Sequence, residues 1–92
     1  MDFRQSTQYS RELAQIIASY ADTDLQLAKQ LFQELEQMES HLATFPEAAP
    51  LTSEPPIRKF ILKRFPLRIR YAVKQNEILL LTMEHMKQDR PL

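Results

Sequence analysis

The spacing of apolar residues changes once along this chain, and that change most limits the folds open to it. Up to residue 42 apolar side chains recur every three or four positions; from residue 67 they alternate. In the first stretch Tyr9, Leu13, Ile16, Ile17 and Tyr20 share one side of a helix, with Arg11, Glu12, Gln15 and Ser19 between them. Ala21-Asp22-Thr23-Asp24 interrupts the pattern. Asp22 or Thr23 can cap a second helix, and Thr23 with Gln26 fits a capping box. From Leu25 to about Leu42 the stripe is Ala28, Leu31, Phe32, Leu35, Met38 and Leu42. The opposite side carries Lys29, Gln33, Glu34, Glu36, Gln37 and Glu39, which reads as solvated helix surface. The short turn predicts an antiparallel helical hairpin whose joint apolar face needs a cover.

The second pattern supplies one. Leu67, Ile69, Tyr71 and Val73 alternate with Arg68, Arg70 and Lys74, the period of a half-buried strand, which places Tyr71 in the core. Before it, Phe45-Pro46-Glu47 ends the second helix, and Ala48 to Pro56 holds three prolines and predicts no regular structure. Ile57–Phe65 is rich in strand formers, but both of its sides are apolar and its facing is open. Lys74-Gln75-Asn76-Glu77 reads as a hairpin turn. Glu77–Met86 mixes helix-favouring Leu, Met and Glu, yet its length and its place after a turn predict a strand. Met1–Ser6 fits an edge strand or a frayed start. The class predicted is α+β, a helical hairpin on an antiparallel sheet of three to four strands, in one domain over residues 1–92.

Composition narrows the function. The chain has no cysteine, so neither a disulfide framework nor a thiolate metal site is available, and two histidines offer little for a metal. It has no glycine, which excludes the phosphate-cradling loops of nucleotide enzymes. The longest apolar run, Ile78-Leu79-Leu80-Leu81, is too short to span a bilayer. No apolar leader opens the chain, and a cytoplasmic protein without membrane contact is expected. Net charge is zero, but residues 1–54 hold three basic and nine acidic side chains, whereas residues 55–92 hold nine basic and three acidic. A basic half of this kind suits an anionic or acidic partner.

The hairpin turn places those charges. With Gln75-Asn76 as a two-residue turn, Ala72 faces Leu79, Arg70 faces Leu81, Arg68 faces Met83 and Pro66 faces His85. Arg68, Arg70 and His85 then share the exposed face with Leu79, Leu81 and Met83, while Ile69, Tyr71, Val73, Ile78 and Leu80 pack on the helices. Glu84 is expected on the side away from His85. A three-residue loop would shift the register by one and carry His85 to the core side. His41, near the end of the second helix, suits the helix dipole and receives no function.

These residues resemble a known family. The basic strand-forming segment, then Phe65-Pro66-Leu67-Arg68-Ile69-Arg70-Tyr71, an apolar strand ending in His85, and Arg90-Pro91 resemble the RelE/ParE superfamily, the toxins of type II toxin–antitoxin modules. The helical hairpin ending in Phe45-Pro46-Glu47 is similar too, so the resemblance spans nearly the whole chain. It implies the order β-α-α-β-β-β. It also implies a toxin that inhibits growth and is neutralised by a cognate antitoxin wrapped around it in a hetero-oligomer. Members either poison DNA gyrase, in the ParE manner, or cleave mRNA on the ribosome, in the RelE manner. No cofactor or metal is implied. By position, Arg58 matches the arginine early in the second strand, Arg68 the one after Phe-Pro, and His85 the histidine closing the last strand. In a RelE-like enzyme His85 is the general acid and Arg68 holds the phosphate. In a ParE-like toxin, or a silent relative that only binds antitoxin, Arg58, Lys63, Arg68, Arg70, Leu81 and Met83 form the binding surface. The family commonly ends His-x-x-Arg-x-Pro, then Gly and an aromatic pair. Here four residues separate His85 from Arg90, and Leu92 ends the sequence without that aromatic. Loss of a base-stacking ring and a single well-placed imidazole favour the target-binding toxin over the ribonuclease.

Overall fold

The computed structural model describes residues 1–86. Its elements run β1 (Asp2–Gln5), α1 (Thr7–Thr23), α2 (Leu25–Thr44), β2 (Arg58–Ile61), β3 (Leu67–Lys74) and β4 (Glu77–His85). The sheet order is β1-β4-β3-β2. The three later strands are antiparallel, as expected; β1 joins β4 in parallel, so the four-stranded sheet is mixed. The α+β class and the element order agree with the sequence reading. The segment carrying Lys87, Arg90 and Pro91 lies outside the described residues.

Two single residues punctuate the first half. Ser6 ends β1 and starts α1: its hydroxyl accepts from the Tyr9 N–H at 2.9 Å and donates to the Leu81 carbonyl at 2.7 Å. Asp24 alone separates the helices. Its extended backbone (φ −163°, ψ 118°) stops α1, and its Oδ1 accepts from the Gln26 N–H at 2.9 Å to open α2. The cap is therefore Asp24, not Asp22 or Thr23, and Ala21 to Thr23 complete the last turn of α1. Phe45 ends α2 with its N–H on the His41 carbonyl at 2.8 Å, and Pro46 then prevents continuation.

The hairpin between β3 and β4 turns on Gln75 (φ 51°) and Asn76 (φ 63°), both left-handed. Positive φ at both central positions matches the twist of two paired strands, and glycine usually bears it. This glycine-free chain places Gln and Asn there instead.

Pairing follows the expected register from Lys74↔Glu77 to Tyr71↔Leu80 and then changes. Tyr71 pairs with Leu80 but Arg70 pairs with Thr82, so Leu81 is an extra residue in β4, a β-bulge. Everything beyond it is shifted by one. Arg68 opposes Glu84, Ile69 opposes Met83, and Leu67 opposes His85.

The helices cover one side of the sheet. Leu31, Leu35, Met38 and Leu42 of α2 and Tyr9 and Ile16 of α1 meet Leu67, Ile69, Tyr71, Ile78, Leu80 and Met83 in one core. Burial of side chains this size contributes about 1.5–3 kcal/mol each. Phe32, counted in the α2 stripe from its spacing, remains 47% exposed.

Candidate functional site

The sheet side away from the helices has no layer over it among the described residues. Its centre is an arginine pair held by one carboxylate. Arg68 Nε and Nη2 lie 3.1 and 3.0 Å from Glu84 Oε1, and Arg70 Nε lies 3.1 Å from the same oxygen. Alternation on β3 puts both arginines on this side, and the bulge brings Glu84 to it. One carboxylate offsets one of two guanidiniums. Arg68 Nη1 and both Nη groups of Arg70 have no protein partner among the described residues. Lys59 of β2 opposes Arg70 and adds a third cation, and Ile61, 49% exposed, opposes Arg68. Half-buried Leu79 continues the face, and Arg4 pairs with Glu77 at 3.0 Å near the turn. Thr82, beside Glu84, has a buried hydroxyl without a partner. The result is a mixed surface, apolar at intervals and net basic at its centre.

The bulge corrects three expectations. Met83 is not on this face; it is buried in the core, opposite Ile69. Glu84 is on this face rather than the helix side, although it still points away from His85, as expected. His85 leaves it and stands on the helix side, exposed, at the end of β4. There its Nε2 lies 3.4 Å from the Tyr20 hydroxyl of α1, and Tyr20 meets Phe65 edge-on with ring centroids 5.1 Å apart. Partial burial raises the Tyr20 phenol above its ordinary value, so it stays protonated near neutral pH. Arg68 and His85 therefore project from opposite sides of the sheet.

The remaining expected site residues have local roles. Arg58 lies on the helix side, where Nη1 donates to the carbonyls of Glu47 at 3.0 Å and Ala49 at 2.8 Å and ties down the proline-rich segment. Tyr71 assists by donating from its hydroxyl to the Pro46 carbonyl at 2.8 Å. Lys63 sits in the β2–β3 loop, and its backbone N–H donates to Glu34 Oε2, 2.6 Å away. It also lines a shallow pocket with Met38, His41 and Phe60. Leu81, the bulge residue, is half-buried and offers its carbonyl to Ser6.

Four polar side chains that shape this region are not among the candidate site residues read from the sequence. Glu84 and Tyr20 are two. Glu12 and Glu34 are the others, carboxylates that accept backbone N–H groups: Glu12 Oε1 from Met83 at 3.0 Å, Glu34 from Lys63 and Arg64. A signal for both existed. Glu12 lies three residues after Tyr9 and four before Ile16, and Glu34 lies three after Leu31 and four before Met38, so each carboxylate borders a buried stripe. Among the described residues no cluster of His, Asp and Glu is arranged to hold a metal ion, and no helix is long and apolar enough to cross a membrane.

Comparison with known families decides the ancestry of this arrangement. The family described as ParE toxin of type II toxin-antitoxin system, parDE, matches residues 3–90. The chain belongs to the ParE toxin family. Its ParE fold is similar to a solved chain of the chromosomal ParDE TA system from P. aeruginosa, with TM-score 0.78 and 20% identity over 95% of this chain and 97% of that one. It is also similar to a conserved hypothetical protein from Helicobacter pylori, HP0894, with TM-score 0.61 and 16% identity over 92% and 93% of the two chains. At these identities the likeness is one of fold. No curated protein matches the sequence. The ParE match runs from the second residue of β1 through the end of β4 and so covers β2, β3 and β4, the strands that build the arginine face.

Proposed function

We propose that this ParE-family chain is the toxin of a type II module and acts by binding its target rather than by cutting RNA. A gyrase-type target in the cytoplasm follows the ParE branch of the family. A cognate antitoxin neutralises it by laying an apolar segment with acidic residues over the arginine face. The observation that carries this reading is the separation of His85 from Arg68 and Arg70 by the thickness of the sheet. A phosphodiester cannot be held by those arginines and protonated by that imidazole at once, because general acid catalysis needs hydrogen-bond reach. Mixed apolar and charged surface, left uncovered, suits a protein partner instead.

The purified protein tests this directly. The expected result is inhibition of gyrase supercoiling, relieved by the protein of the neighbouring reading frame, and no ribosome-dependent mRNA cleavage. Reversing charge at Arg68 and Arg70 should weaken antitoxin binding, most at low salt where screening is least. The endonuclease alternative draws on the Tyr20–His85 pair, a phenol and an imidazole together at an open edge. Robust cleavage by the parent chain, abolished by His85→Gln, would establish that alternative. Antitoxin binding with neither activity would identify a silent relative.

A further inference from the structure

The arginine face carries its own anion, and that anion has a consequence for what the face accepts. Lys59 of β2 opposes Arg70, about 5 Å away across the strands, and Arg68 lies two residues along β3 from Arg70, roughly 7 Å away on the same side. Three cations so placed on an open sheet are the footprint of a polyanion site. Glu84 stands among them. A single oxygen of its carboxylate takes both arginines, at 3.0–3.1 Å. This is a poor way to gain stability: the side chains are 30%, 33% and 37% exposed, and pairs exposed to this degree contribute little. What the carboxylate does achieve is electrostatic. It removes one charge, engages three of the guanidinium N–H groups, and sets a negative group between the two arginines.

We propose that Glu84 is the specificity-determining residue of this face: it turns away nucleic-acid strands and leaves donors for a single carboxylate of an apolar protein segment. Arg68 Nη1 and the Nη groups of Arg70, which have no partner among the described residues, can take one further acidic side chain in the fork geometry that guanidinium favours. Ile61 and Leu79 then receive apolar neighbours, which a phosphate backbone does not provide. The inference rests on the reading of this face as the antitoxin-docking surface, but its RNA-exclusion half is tested without any antitoxin.

The test is fluorescence anisotropy with a labelled single-stranded RNA oligomer between 50 and 200 mM KCl. It compares the parent, Glu84→Gln, Glu84→Asp and the double variant Arg68→Gln/Arg70→Gln, each checked by circular dichroism and thermal melting. The parent should bind weakly with a shallow salt dependence. Glu84→Gln should bind about tenfold more tightly at 50 mM, with a log–log salt slope steeper by about 0.7–1.4, equivalent to one or two more phosphates. Glu84→Asp keeps the charge and should stay near the parent. Equal affinity and slope for the parent and Glu84→Gln would overturn the proposal. So would a parent that already binds RNA tightly and loses it in the double variant, which would make the face a nucleic-acid surface. If the RNA result holds while charge reversal leaves antitoxin binding unchanged, the docking reading fails and the exclusion of RNA by Glu84 stands.

Discussion

Strand β3 has two faces with opposite demands. Leu67, Ile69 and Tyr71 are fully buried against the helices, while Arg68 and Arg70, their immediate neighbours, keep about a third of their side-chain surface in solvent. One face is held by shape, because closely packed apolar groups tolerate little change of volume. The other is held by charges that one carboxylate only partly satisfies. A single eight-residue strand thus contributes alternate residues to the core and to the face proposed here for recognition, and the two sets are expected to be energetically separable.

The largest test of that division is a pair of truncations. Ile69→Ala should lower unfolding free energy by about 2–5 kcal/mol, as for other buried aliphatic deletions, in urea titrations. Leu79→Ala, on the outer face, should cost less than half as much. Equal losses would show that the outer face is packed too. Glu12→Ala comes next. It strips the Met83 N–H of its acceptor and should cost about 1–3 kcal/mol, whereas Glu12→Gln, which keeps an oxygen there, should recover most of it. Arg68→Gln should change stability by under about 1 kcal/mol while weakening partner binding, which separates the two faces by readout.

The smallest expected effect concerns pH. Burial, and then repulsion from Glu36, raises the Glu39 carboxyl above its ordinary value. The folded chain therefore holds that proton more tightly than the unfolded chain. This group's contribution to stability is greatest at low pH and declines as pH rises from the ordinary glutamate range through the folded pKa. Glu39→Gln should raise the melting temperature slightly at pH 7 and not at pH 4. A gain of the same size at both would assign the effect to something other than ionisation.

Much of this was legible in the residues. Two stripes of period 3.6 and one of period two sufficed for the helices, β3 and the burial of Tyr71. Gln75-Asn76 located the hairpin turn without glycine. What failed was local and had a cause. A β-bulge adds one residue to one strand and leaves no mark in an apolar run such as Ile78-Leu79-Leu80-Leu81, where either neighbour could face the core. Met83, Glu84 and His85 were therefore set on the wrong sides together. The stop at Asp24 was obscured because four polar or small residues in a row all fit a cap, and only backbone geometry selects among them. Arg58 matched a family position, but its work in holding Glu47 and Ala49 depends on a segment too irregular to place from sequence.

The parallel pairing of β1 with β4 also sets a clock. Asp2 pairs with Glu77, and the bond from Ser6 to Leu81 bridges 75 residues of chain. On a ribosome the helical hairpin and the β2–β3 pair can form from near neighbours, but β1 has no strand to join until β4 emerges. At about 5–20 residues per second that interval is on the order of 4–15 s. Long-range closure is also the slow step in folding generally. Arg68 and Arg70 are synthesised before Glu84, and the bulge that turns Glu84 toward them exists only once β4 is paired. The arginine face with its carboxylate is thus complete only after β4 has paired, so a partner docking there, as proposed, would meet the finished sheet.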